Sequence, residues 1–240
     1  MSLVGQRVVV IGGSSGMGLA TAHAAARDGA AVMVVSSNHE RVEAALAELP
    51  PSCEGAVLDV RDEDAVAAFF NRQRDLDHLV FTAGDAFSPR RLTELTLSEA
   101  RAALEVRFWG AVTVVACAIP HVSGHGSIAL TTGTVGQRPV PGAALAAAGA
   151  GAAEGLVRGL AAELAPVRVN AVRAGAVRTP LWDSVPQAQR EATFARLAES
   201  TLIGTIGEPD EIALAHLYLM QNRYVTGTVL TVDGGLLLAR

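Results

Sequence analysis

The chain has 240 residues, half of them hydrophobic and only 18% charged, which excludes a disordered or low-complexity protein and supplies apolar material for one large core. Its formal net charge is −5 with nineteen basic residues scattered along it, so there is no electrostatic footprint for nucleic acid or an anionic membrane. No Pro/Ser-rich linker or charge block interrupts the pattern, and a single domain over 1–240 is expected.

All nineteen basic residues are arginine. Codon bias toward GC-rich triplets explains that count, but its chemical consequence stands: no mechanism that needs a lysine is available. Tyrosines are scarce too, with Tyr218 and Tyr224 both near the C-terminus. The opening MSLVGQRVVVIGG carries no basic segment ahead of an apolar stretch and no small-residue cleavage site, so a cytoplasmic location is the default expectation. Cys53 and Cys117 make neither a disulfide framework nor a metal cluster. The Ala/Gly-rich stretch around 142–153 is too weakly apolar for a membrane span.

In chain order, RVVVI at 7–11 is a short β-branched run. A glycine-rich turn follows, then LATAHAAARDG with helical spacing that stops at Gly29. The alternation recurs with AVMVV at 31–35 before a helix from about 39 to 48, GAVLDV before a helix opened by Asp62, and DHLVFTAG. A long helix around 97–119 leads to GSIALTT, a fifth strand; an alanine-rich helix of roughly 143–164 precedes VRVNAV, and TVLTVDGG supplies a seventh strand. Buried strands separated by helices predict a Rossmann-like, doubly wound parallel sheet of seven strands with helices on both faces. Between about 176 and 204 the period is less regular, with Trp182, Pro186 and a short helix, as a substrate-covering segment would be.

The turn after the first strand reads GGSSGMG, with Gly12, Gly13, Gly16 and Gly18 directly before a helix. Glycine there lets the backbone turn tightly and approach a pyrophosphate, whose charge meets the amides and positive dipole end of the helix. Its place at the first strand-to-helix turn makes this a dinucleotide signal. Ser14 also fits the nucleophile place of a G-x-S-x-G elbow, but such a serine follows several upstream strands, and here there is only one. At the end of the second strand VVSSNHER offers Ser36, Ser37 and Asn38 with Arg41 beyond, and no carboxylate to hold a ribose 2′-hydroxyl. That leans toward NADP over NAD; Ser37 or Asn38 also suits the N-cap of the next helix.

From about Val4 to Leu237 the chain resembles a short-chain dehydrogenase/reductase. The resemblance rests on GGSSGMG, Asp59-Val60, Ala83-Gly84, GSIALTT, GLVRGLAAELAPVRVNAV, Thr179-Pro180-Leu181, GEPDEIA and YVTGTVLTVDGG. It implies pyrophosphate on Gly12, Ser14, Ser15, Gly16, Met17 and Gly18, with adenine near Asp59 and Val60. It also implies cofactor contacts at Ala83 and Gly84, nicotinamide near Gly175, Val177 and Thr179, and a homodimer or homotetramer. The family's chemistry uses a serine, a Y-x-x-x-K pair and an asparagine. The resemblance puts these positions on Gly133, Ala146, Ala150 and Arg107, so all four groups are gone. Phe81 and Thr82 stand where two asparagines are usual, and Ala174 replaces the proline before Gly175.

Few side chains offer to replace the missing set. Arg107 points toward the vacated space, where its guanidinium suits a substrate carboxylate or the missing cation but not a general base. Thr134 and Thr132 flank Gly133, although strand alternation turns Thr132 away from the face of residue 133. Asp85 follows Ala83-Gly84. His121 and His125 have metal-pair spacing, but Gly124 and Pro120 favour a surface turn, and no metal is expected. Three functions follow: an NAD(P)-dependent oxidoreductase of a small molecule with a non-standard catalytic set, a non-catalytic dinucleotide-binding sensor or partner subunit, and a non-redox enzyme in a repurposed pocket.

Overall fold

Every β-branched run finds a parallel neighbour. In the computed structural model, which describes residues 2–73, 75–84, 89–183 and 185–239, seven strands form one sheet. They are β1 (Arg7–Ile11), β2 (Ala31–Ser36), β3 (Glu54–Val57), β4 (Leu76–Phe81), β5 (Val122–Gly133), β6 (Arg168–Ala174) and β7 (Val229–Val232), in the order β3-β2-β1-β4-β5-β6-β7. All six pairings are parallel. The order reverses between β1 and β4, and a crevice opens beyond the carboxyl ends of strands at such a point. The expected single α/β unit with helices on both faces is what the chain forms.

The helices are α1 (Gly16–Arg27), α2 (His39–Glu48), α3 (Glu63–Arg72), α4 (Leu97–Ala102), α5 (Ala111–Ala118), α6 (Ala144–Glu163), α7 (Gln187–Glu199) and α8 (Pro209–Gln221). One sheet face packs on α3, α5 and α6 through Phe69, Phe70, Val114, Val115 and Val157. The other packs on α1, α2 and α8 through Ala22, Ala25, Ala45, Ile212 and Leu219. Local signals set the ends: Asn38 Oδ1 accepts from Arg41 N at 2.9 Å to start α2, and Asp62 does the same for Ala65 N in α3. At the far end of α8 the buried Arg168 donates to the carbonyls of Leu219, Met220 and Asn222 at 2.6–2.9 Å, matching a cation to the negative end of the helix.

Three expected elements differ in detail. The predicted long helix at 97–119 is interrupted by a π-helical turn, Glu105–Gly110, because Phe108 N and Trp109 N both donate to Leu104 O and one extra residue enters the turn. The third strand is shorter than GAVLDV. Leu58 N still bonds Ser36 O, but Asp59 then accepts from Arg61 N and turns the chain. The segment after Gly175 carries a thirteen-residue helix, α7, rather than a short one. Within residues 97–121 the most apolar stretch has a mean hydropathy of 1.6, and the segment is long and apolar enough to cross a membrane by length and composition, a feature the sequence reading passed over. Here Ala111, Val114, Val115 and Ala118 pack on the sheet, as in a core helix.

Candidate functional site

A cleft of about 460 Å³ lies over the β1–β4 reversal, within the usual range for small-molecule sites. Its floor is the glycine loop: Gly12, Ser14, Ser15, Gly16, Met17 and Gly18 all line it. Gly12 has φ +82°, and a Cβ there would stand 2.5 Å from Ala83 N. A Cβ on Gly18 would stand 2.2 Å from Gly12 O and 2.5 Å from Thr82 Oγ1. Only glycines let α1 approach the strand this closely. Thr82, at one of the positions where asparagine was expected, closes the floor by donating its hydroxyl to Ile11 O at 3.0 Å. The Ser15 side chain makes no capping bond to α1, so the first-turn amides face the cleft as an anion cradle.

The end beside β2 is polar. Ser36, Ser37 and Arg41 line it, and Asn38 caps α2 through its side chain. Asp59 and Val60 also line this end, joined by Leu58 and Arg61. Arg61 holds Asp59 through its Nε at 3.0 Å and Nη2 at 2.6 Å, and these bonds keep the Asp59 carboxyl below the usual carboxylate range. The sequence reading missed Arg61. Its spacing of two from Asp59, an Asx-turn geometry, was the available signal.

At the opposite end Ala83, Gly84, Val106 and Arg107 meet Thr179, Pro180 and Leu181. The π-turn carries the exposed Arg107 into the cleft, and a Cβ on Gly84 would fall 2.5 Å from its Cζ. A glycine at 84 is therefore what lets the guanidinium lie against the backbone. Five N–H donors in a fixed fork allow it to serve a protein group and a ligand oxygen at once.

Thr179 reaches over the loop, 3.2 Å from where a Gly16 Cβ would be. Gly175 and Val177 do not line the cleft. Gly175 is pressed against Asp233, and Val177 bridges to Gly207 and accepts from Trp182 Nε1 at 3.0 Å, so both anchor the segment that follows β6. Arg178 fastens that segment from outside, pairing with Glu191 and Glu208 at 3.3 Å each and lying 4.5 Å above the Phe194 ring.

Gly133, Ala146 and Ala150, where the resemblance puts the serine, tyrosine and lysine, are half-buried and outside the cleft lining. A Cβ at Gly133 would meet nothing nearer than 3.7 Å. Thr134 is buried in a 3-10 turn, Thr134–Gly136, and is not a lining residue. Thr132 turns to α6, where its hydroxyl lies 3.4 Å from Glu154, while Thr131 turns to α8 and meets His216 at 3.1 Å, the alternation expected of a strand. Asp85 lies outside the described residues. Among the described residues no group of three or more His, Cys, Asp or Glu could hold a metal; His121 ends a 3-10 turn and His125 is exposed on β5.

Comparison with known proteins agrees with this geometry. A family model described as enoyl-(acyl carrier protein) reductase matches residues 11–237. The chain is 36% identical to the short-chain dehydrogenase/reductase ATR9 of Stachybotrys chlorohalonatus, with 96% of each chain covered. Its fold is similar to that of the MalC reductase/Diels-Alderase of Malbranchea aurantiaca (TM-score 0.91, 31% identity, 98% of each covered). It is also similar to a small-chain dehydrogenase in complex with NADPH (TM-score 0.85, 32% identity, 98% and 99% covered).

Proposed function

We propose, from the premise that this chain belongs to the short-chain dehydrogenase/reductase family, that it binds NADPH in the β1–β4 cleft and reduces a small molecule without the family's tyrosine–lysine relay. The observation that carries the reading is one cleft with the glycine cradle at one end and the Arg107 guanidinium against Gly84 at the other, while Gly133, Ala146 and Ala150 bear no proton-donating group. The first-turn amides of α1 suit a pyrophosphate, and Ser36, Ser37 and Arg41 suit a ribose 2′-phosphate. A bound dinucleotide would supply hydride. Arg107 then donates to the substrate oxygen as negative charge develops there, a preorganised electrostatic role. It is too basic to act as acid or base, so the product's proton comes from solvent.

A titration of cofactor fluorescence tests this directly. NADPH should bind at least tenfold more tightly than NADH, a difference of about 1.4 kcal/mol. Arg41→Ala should abolish the difference. Equal binding overturns the NADP preference, and no binding of either overturns the whole reading. Gly18→Ala puts a Cβ against backbone that cannot yield; it should cost about 1–3 kcal/mol of stability by overpacking and weaken NADPH binding at least tenfold. Unchanged binding would show that the loop is not the cradle.

The vacated positions and the likeness to a reductase/Diels-Alderase favour one further reading, cyclisation in the same pocket, which would appear as substrate conversion without NADPH consumption. Binding without turnover of any substrate would instead mark a sensor or partner subunit. We place the protein in the cytoplasm as a homodimer or homotetramer. Support for the oligomer comes from the π-turn before α5, where Trp109 is 53% exposed, and from α6, where Gly151, Gly155 and Gly159 have open space beside them.

A further inference from the structure

Glu154 and Arg173 form a buried pair that the proposed chemistry does not use. Arg173 on β6 donates through Nε and Nη2 to the two Glu154 carboxylate oxygens at 2.8 and 2.7 Å, a bidentate pair with 5% and 15% of the side chains exposed. Thr132 and Thr231 complete the network at 3.4 and 3.0 Å. Thr132, Arg173 and Thr231 lie in register across β5, β6 and β7. A single helical residue thus grips a row of polar side chains spanning three strands, one residue short of Gly133 and Ala174, which pair in the next row.

On α6, Ala146, Ala150 and Glu154 follow at intervals of four and share one face. The upper part of that stripe has no reach of its own: Ala150 already stands 3.0 Å from where a Gly136 Cβ would be. Small side chains facing glycine leave lost dispersion contacts, and a helix so equipped gains by settling inward. The bidentate pair one turn further along resists this, because a planar fork on a carboxylate fixes distance as well as charge.

We propose that Glu154 is a positioning residue: through Arg173 it sets the spacing of α6 from the ends of β5 and β6, and so the way that helix presents Ala146 and Ala150. This rests on the reading of Gly133, Ala146 and Ala150 as the positions that face the reacting substrate.

The test needs no substrate. Ala146→Cys is introduced and the new thiol is modified in the folded, full-length protein with a bulky maleimide, its rate read by peptide mass to separate it from Cys53 and Cys117. Glu154→Gln or Arg173→Met should slow the modification at least fivefold, and the exchange Glu154→Arg with Arg173→Glu should restore it. Arg168→Met, which weakens the fold elsewhere, should leave the rate unchanged. If the first two variants do not fold, Arg173→Lys, which keeps the charge and loses the fork, should give the same slowing. A smaller change, an acceleration, or a thiol unreactive in the otherwise unaltered protein overturns the proposal. An NADPH titration of each variant separates the outcomes. Intact binding with failed accessibility removes this inference alone, whereas absent binding in the unaltered protein removes the functional reading.

Discussion

Ala146→Tyr combined with Ala150→Lys raises NADPH-dependent reduction of a simple ketone by roughly 10²–10⁴-fold, the contribution of one positioned acid or base. The two positions are four residues apart on one face of α6 and both are half-buried, so a phenol and an ammonium introduced there share a surface open to solvent. Adding Gly133→Ser is expected to raise the rate further, because a side chain at 133 meets nothing nearer than 3.7 Å. Arg107→Asn belongs in the full set, because the resemblance gives position 107 to the family's asparagine. The measurement is the initial rate of NADPH oxidation for each combination at saturating cofactor. Undiminished NADPH binding with no gain in rate would show that α6 does not present the two side chains to the reacting atoms. Arg107→Met in the parent tests the opposite limb, and it should lower whatever basal reduction exists without weakening NADPH binding more than threefold.

The parts of the molecule legible in the sequence were those whose physics is local. Four β-branched residues at 8–11 followed by GGSSGMG can form little other than a buried strand and a tight turn, and the cleft floor is where that turn predicts it. The loss of lysine was a matter of counting. What the sequence did not display are contacts between distant segments. Gly175 and Val177, which the resemblance puts near nicotinamide, also make tertiary contacts with Asp233 and Gly207. Asn38 offered either a cofactor contact or a cap, and the free Arg41 amide decided for the cap. The π-turn that brings Arg107 against Gly84 depends on Leu104 O accepting two amides, and the buried Gly110 permits close packing because its Cβ would collide with Val60 at 2.6 Å. Glu154 and Arg173, nineteen residues apart, carried no signal of their pairing at all.

Stability should fall by about 3 kcal/mol for each of two buried histidines as pH drops from 6.5 to 4, at about 1.4 kcal/mol per pH unit for each. Burial lowers His216 from 6.5 to about 4, and burial aided by the Arg168 charge lowers His78 to about 4 against the opposing pull of Asp77. In the native state both rings are neutral, while the unfolded chain takes up a proton on each below 6.5. The stabilising difference is therefore complete above 6.5, shrinks through the window and is gone below 4. The hydrogen bonds explain the neutral preference at His78. Gln6 Oε1 lies 2.9 Å from Nε2 and accepts its proton, so Nδ1, 2.8 Å from Ser127 Oγ, must accept. A second ring proton would lose that bond inside a site that is 2% exposed. At His216, Nε2 meets Thr131 and the buried Nδ1 has no partner among the described residues, so a charge there would go unsolvated. Urea unfolding at successive pH values checks the slope. His216→Leu, which replaces an orphaned ring nitrogen with apolar volume, should halve it and leave the protein at least as stable at pH 5. A flat profile between 6.5 and 4 would mean that both rings reach solvent or an acidic partner before the fold gives way.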